Sequence, residues 1–355
     1  MWLWRVFQNI KMLHISEKKI IDYDNYLSLA KSLGIHIHEN LFINKIEDNN
    51  YGVFTKGEID NKDKIISVPK KFLISQSIIK DFILEKKIEY PNLDFLKLYF
   101  SSVPDLEYFK NNHIAFADNN QKNNILNLFI EQSPTRRKIK SFFDYVDKLD
   151  LLDKYLFLVF RSRAFNFENT PYLAPVLDMV NYKFGGVRAL TDKQEIYFKI
   201  KEPLKANDQF FQGYEIHSDI IFFYLQFNFI PEKFNLISIP PNFFSMKIPD
   251  NNVEQINENY WNINNGTFSN KSYIVFEDLK LPLDFKLEIN KIIKNPSVLK
   301  KILNSILGLL KNEINYENLS NFLNKESKNQ KAIDFAKVVN LNYINISEAI
   351  KNLNN

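Results

Sequence analysis

Residues 161–182, RSRAFNFENTPYLAPVLDMVNY, are the stretch on which the reading of this chain turns. Arg163 closes an apolar helical run. Asp178 and Asn181 then interrupt an apolar segment that begins near Tyr172. A carboxylate among apolar side chains needs a charged or well-bonded partner, because an unpaired one costs several kcal/mol or more. Arg163 is the partner the sequence offers, directly or through a bound ligand. A buried ion pair beside a capping Asn, with no ligand at all, gives the same pattern. Spacing alone leaves the two readings open.

Upstream, KIIDYDNYLSLAKSL at 19–33 places Ile20, Ile21, Leu27, Leu29 and Leu33 at helical spacing, and Gly34 follows as a stop. HIHENLFINKI, YGVFTKGEI and KIISVP read as short strands ending at Pro69. From about Ile78 to Phe160 the period is helical, most clearly at Leu149, Leu151, Leu152, Tyr155, Leu156, Val159 and Phe160. Downstream, EIYFKI and QFFQGY read as strands, with a further one over FYLQFNFI. Beyond Pro240 the chain reads as mostly helical. Its clearest stripe is Val298, Leu299, Ile302, Leu303, Ile306, Leu307 and Leu310, behind Asn295 as cap and Pro296 in the first turn. Strand groups separated by a helical block are not the alternating units of a doubly wound sheet, so the class is α+β.

Composition narrows the field. The 355 residues are 45% hydrophobic and 15% aromatic, enough for one large core or a few smaller ones. The net charge of +4, from 46 basic and 42 acidic residues, argues for neither nucleic acid nor an anionic membrane. The absence of cysteine excludes disulfides, thiolate metal sites and a Cys nucleophile. It also fits a reducing, cytoplasmic setting. MWLWRVFQNIKML at the start is apolar but broken by Arg5 and Lys11, unlike a secretion signal. It reads as a short helix or as an extension ahead of Met12. No stretch approaches the roughly 18 apolar residues of a membrane span.

Other candidate clusters are weaker. Tyr, Glu, His, Ser and Asp crowd QGYEIHSD at 212–219, but neighbours on an extended chain point to opposite faces, and no G-x-S-x-G elbow exists. His36 and His38 would share a strand face, yet no third ligand stands at a recognised spacing, so no metal is expected. TRRKIK at 135–140 opens an amphipathic helix and reads as a solvated face. There is neither a P-loop nor a G-x-G-x-x-G.

Taken together, three ordered stretches resemble the SET-domain protein-lysine methyltransferases of the Rubisco large-subunit methyltransferase-like class. That class shows S-R-A-F at a helix end and then V-P-x-x-D-x-x-N-H; Ser162, Arg163, Ala164, Phe165, Pro175, Asp178 and Asn181 match. Upstream, Gly52, Ile59, Val68 and Pro69 match the first motif. Downstream, NDQFFQGYEIHSD aligns Tyr214 with the family's active-site tyrosine, and FNFI at 227–230 stands where the family has Y-G-F-V. The resemblance runs from about residue 35 to 232.

It implies a pseudoknotted SET fold of short β-sheets with a helical insertion, and an all-α C-terminal domain. The implied boundaries are an N-terminal helical extension at 1–34, a SET domain at 35–235 with the insertion at about 78–155, and a substrate-binding-like domain at 240–355. It implies S-adenosylmethionine as cofactor and a protein lysine as methyl acceptor. The expected partner is a protein substrate, with no nucleic acid, no membrane and the chain acting as a monomer. Asn49, Asn50, Tyr51 and Gly52 would line the cofactor, largely through backbone, with Arg163, Asn181 and Tyr182 beside them. Asp178, Phe227 and Phe229 would form the lysine site, and Tyr214 would stand at the methyl-transfer centre. The chain departs from the pattern at Asn49 (for Glu), Asn50 (for Gly), Tyr182 (for His) and Asn228 (for Gly). Those departures leave a SET-derived interaction module without catalysis as the alternative.

Overall fold

A computed structural model describes residues 22–47, 50–60, 64–213, 220–229, 236–239, 245–247, 261–264, 267–270, 274–277, 296–324 and 330–354. The chain forms two compact units. One takes residues 1–111 and 149–215; the other takes 112–148 and 216–355.

The first unit opens with α1 (Tyr23–Ser32), capped by Asp22, whose carboxylate accepts from the Asn25 amide at 3.1 Å. It buries Tyr26, Leu27 and Ala30, and the chain turns out of it through Gly34 at φ +95°. Then come β1 (His36–Ile37), β2 (Leu41–Glu47), β3 (Asn50–Thr55) and β4 (Lys64–Pro69). Three helices follow: α2 (Gln76–Ile83), α3 (Leu93–Ser102) and α4 (Leu106–Asn112). Asn92 caps α3 through the Phe95 amide at 2.8 Å. Next are α5 (Asn119–Leu126) and α6 (Pro134–Val146), both in the second unit. The chain returns with α7 (Leu151–Arg163), the hairpin β5 (Phe165–Phe167) and β6 (Thr170–Tyr172), then β7 (Tyr182–Val187), β8 (Ala189–Thr191), β9 (Glu195–Lys199) and β10 (Gln209–Phe210).

Two small sheets result, in the orders β1-β4-β9-β8 and β10-β3-β2. Phe198 of the first and Phe210 of the second meet at 5.4 Å and lie in the core. Tyr26 stacks on Phe95 at 5.4 Å, which seats α1 on α3. Residues 180–187 wrap the segment 211–213. Gln212 N donates to Asn181 O and its side-chain amide to Val180 O, while Gly213 N donates to Val187 O. Both ends of β7 therefore bridge to the single residue Gln212. The two backbones cross so closely that a Cβ on Gly186 would lie 2.5 Å from the Gln212 carbonyl carbon, and one on Gly213 would lie 2.5 Å from Gly186 O. Glycine is the residue that permits such an approach.

The second unit is built on α8 (Ile220–Phe227), α9 (Pro296–Asn312), α10 (Tyr316–Asn324) and α11 (Gln330–Asn354), with α5 and α6. Leu303, Ile306 and Leu307 of α9, part of the stripe expected from the sequence, are buried, and so are Phe335, Val338 and Val339 of α11. Two sequence expectations change here. Residues 223–227 of FYLQFNFI are helical rather than a strand, because a continuous apolar run satisfies a buried helix as well as a buried strand. The C-terminal part has its helices, but it is not all-helical. It also carries β11 (Leu236–Ile239), β12 (Ser245–Lys247), β13 (Trp261–Asn264), β14 (Thr267–Asn270) and β15 (Ile274–Glu277). β11 pairs with β15, and the others form a sheet in the order β12-β14-β13. Strands of three or four residues hold too few alternations to register as a period. The signal was in the Asn265-Gly266 dipeptide between β13 and β14, a hairpin sequence.

Candidate active site

Local chemistry places Arg163. Asp150 caps α7 through the Asp153 amide at 2.8 Å, and the helix runs until Ala164 turns extended. Arg163 thus ends the helix facing the 177–179 turn. Its Nη1 donates to the Asp178 carbonyl at 3.2 Å and reaches Asp178 Oδ2 at 3.4 Å. The acid and the arginine that the sequence paired are in direct contact.

Asp178 sits in a single 3-10 turn, Leu177–Met179, entered through Val176 at φ +73°. That conformation is a genuine outlier for a β-branched residue and costs on the order of 1–3 kcal/mol. Strain of this kind clusters at functional sites. The Asp178 side chain is inaccessible to water while Arg163 keeps 22% of its own exposed. Tyr99 of α3 donates to Asp178 Oδ2 at 2.6 Å, and Oδ1 is buried without a hydrogen-bond partner. Burial pushes the Asp178 carboxyl above the usual range, with Arg163 and the Tyr99 hydroxyl opposing it. Burial, reinforced by Asp178, pushes the Tyr99 and Tyr26 phenols well above theirs.

Asn181 extends the site to β3: its side-chain amide donates to the Tyr51 carbonyl at 2.8 Å. The half-buried Tyr51 ring lies 4.7 Å from that of Tyr23, at the start of α1. The Tyr23 phenol is pushed up to about 12 by burial and by Tyr51, and Arg163 partly offsets this. Gly52 is buried in β3, and the Gln209 side chain covers its open face; a Cβ there would lie 2.5 Å from Gln209 Nε2. Half-buried Tyr182 opens β7 and bridges to Gln212.

The structure therefore brings Tyr51, Arg163, Asp178 and Asn181 together. Tyr214 and Asn49 lie outside the described residues. Asn50 begins β3, and its side chain is not described. Phe227 and Phe229 belong to the second unit, where both pack on Phe223, at 4.7 and 5.1 Å. His36 Nε2 engages the Lys64 carbonyl at 2.7 Å, and His38 Nδ1 accepts from the Asn40 amide at 3.2 Å.

Sequence reasoning missed Tyr23, Tyr26 and Tyr99. Each sits in a helical pattern where an apolar body is all that periodicity registers. The available signal was the need of buried Asp178 for a donor, which a tyrosine in a core helix supplies.

No family model matches this sequence, and no curated protein is similar to it by sequence. Solved structures are similar in fold. A crystal structure of the SET domain of LSMT bound to lysine and AdoHcy superposes with a TM-score of 0.52 at 13% identity, covering 94% of this chain and 90% of that one. Rubisco LSMT bound to sinefungin and monomethyllysine gives 0.51 at 13% identity, over 94% and 91%. Rubisco LSMT bound to AdoMet gives 0.50 at 13% identity, over 94% and 91%. At this identity the likeness is one of fold. The chain has an α+β fold of the SET-domain type with C-terminal helices, the class expected from residues 161–182 and their flanking motifs.

Proposed function

We propose that this chain is an S-adenosylmethionine-dependent protein-lysine methyltransferase of the SET class. The observation that carries the reading is the convergence of Arg163, Asp178, Asn181 and the Tyr51 backbone within a fold whose solved counterparts hold a lysine and the cofactor or its product. The donor set fits a zwitterionic nucleoside. Arg163 is the partly open member of its ion pair, the Asn181 amide reaches the Tyr51 carbonyl, and the Tyr51 ring pairs with that of Tyr23. Arg163, Asn181, Tyr182 and residues 49–52 would hold S-adenosylmethionine, which supplies a methyl group on a cationic sulfonium.

The chain's own task is to present a neutral amine in line with that methyl group. A free lysine at pH 7 lies about 3.4 units below its pKa, so the neutral form costs roughly 4.6 kcal/mol. A narrow apolar channel favours the neutral amine. Tyr214 would orient the amine, with alignment supplying the larger gain. The acceptor would be a lysine of a protein substrate, met by the chain as a cytoplasmic monomer.

The test is transfer of radiolabelled methyl from S-adenosylmethionine into protein of a cell lysate, with Tyr214→Phe as control. Label that appears with the wild type and not with the variant supports the reading.

A second reading, a SET-derived interaction module without catalysis, is favoured by two contacts. The Asn181 amide is engaged by Tyr51, and Gln209 covers Gly52. Calorimetry separates the two, since the module would not bind S-adenosylmethionine.

A further inference from the structure

We infer that Tyr99 is a positioning residue of this site: its hydroxyl holds Asp178, and Asp178 so held fixes Arg163. This rests on the proposed function, because it concerns how the cofactor-facing arginine is kept in place.

The Asp178 carboxylate is anchored through one oxygen. Tyr99 donates to Oδ2 at 2.6 Å, the short range of a hydrogen bond to an ionised acceptor. Arg163 reaches the same oxygen at 3.4 Å, beyond the usual length for such a bond. Oδ1 has no partner to resist rotation. The phenol, not the guanidinium, therefore sets the carboxylate's orientation. Without it, the carboxylate is free to turn or to take a proton, and the 3.4 Å contact of Arg163 with Oδ2 is lost while its bond to the Asp178 carbonyl at 3.2 Å stays. A partly exposed arginine has then lost the carboxylate that faces it.

The groups facing Asp178 are Tyr26 from α1, Tyr99 from α3 and Arg163 from α7. Burial raises both phenols well above their ordinary range, so they stay neutral near pH 7. Arg163 is then the cation that balances Asp178, and the loss of the Tyr99 hydroxyl bears on that pair alone. The sequence resemblance offers nothing at Tyr99, which lies in LDFLKLYF, between its first two motifs.

Tyr99→Phe keeps the ring and its packing and deletes the donor. S-adenosylmethionine binding is measured by calorimetry at about pH 6 and about pH 8.5 for the wild type, Tyr99→Phe, Asp178→Asn and the double variant. The expected result is a loss of affinity on the order of tenfold for Tyr99→Phe at the acid pH, smaller at the alkaline one. On the Asp178→Asn background the same change has no further effect. Binding unchanged at both pH values, or a Tyr99→Phe effect that adds in full to Asp178→Asn, reduces Tyr99 to a packing residue and overturns the inference, whatever happens to the melting temperature. A wild type that binds no S-adenosylmethionine at either pH is a different failure. It overturns the proposed function, and the positioning role falls with it.

Discussion

Asp178 holds a carboxylate where no water reaches it, which gives the protein a pH signature. Burial raises its pKa, and Arg163 and Tyr99 offset this only in part. The folded chain therefore keeps the Asp178 proton to a higher pH than the unfolded chain does. From the ordinary carboxylate value, about 4, up to the folded value, the native state binds more protons, so this group's contribution to stability falls as pH rises. Asp178→Asn does not titrate. In urea denaturation the stability of the wild type minus that of the variant should decrease as pH rises above about 4; a constant difference contradicts the assignment. A second residue explains a departure from the family pattern. Asn228 stands where the resembling class has glycine, and it adopts φ +58°. Asparagine tolerates that left-handed conformation better than other L-residues do. Asn228→Gly should leave thermal stability nearly unchanged, whereas Asn228→Val should lower it by about 1–2 kcal/mol.

At the scale of elements, the one cap read from the sequence, Asn295, lies outside the described residues, and the crossings were not legible. Asp22, Asn92, Ser133 and Asp150 each start a helix by accepting an amide three residues on. Arg163 and Asp178 were paired on spacing and are paired in space. At Gly186 and Gly213 only the fold shows two backbones touching. Gly186→Ala should destabilise the first unit by about 2–3 kcal/mol in denaturant titration, since the obstacle is backbone that cannot swing aside. The second unit has its own long-range cap. Buried Glu313, just beyond α9, accepts from Ser133 Oγ at 2.9 Å and from the Thr135 amide at 3.2 Å, at the N-terminus of α6. The carboxylate meets both the free amides and the positive end of the helix dipole. Glu313→Ala should cost about 2 kcal/mol, read as a lower denaturation midpoint. One sequence gives no sign of this tie, because 178 residues separate Thr135 from Glu313.

For the whole molecule, two compact units share the chain, and the site lies in the first. Residues 161–182 pointed to the class because they and two flanking motifs, in order, resemble those of the SET-domain methyltransferases; their polar pattern alone left a plain buried ion pair open. The phenols that complete the site stayed hidden because each also satisfies a helical core pattern. The two sheets of residues 236–277 stayed hidden because their strands are too short for a period. The central claim is that this site binds S-adenosylmethionine and moves its methyl group to a protein lysine. The most direct measurement is methyl transfer from labelled S-adenosylmethionine into lysine residues of lysate proteins, with wild type and Tyr214→Phe run side by side. The account predicts labelled methyl-lysine with the wild type and a drop of at least about a hundredfold with the variant, the size expected when a group that aligns the reactants is lost. Cofactor that binds without any labelled product, or equal labelling by both proteins, would contradict it.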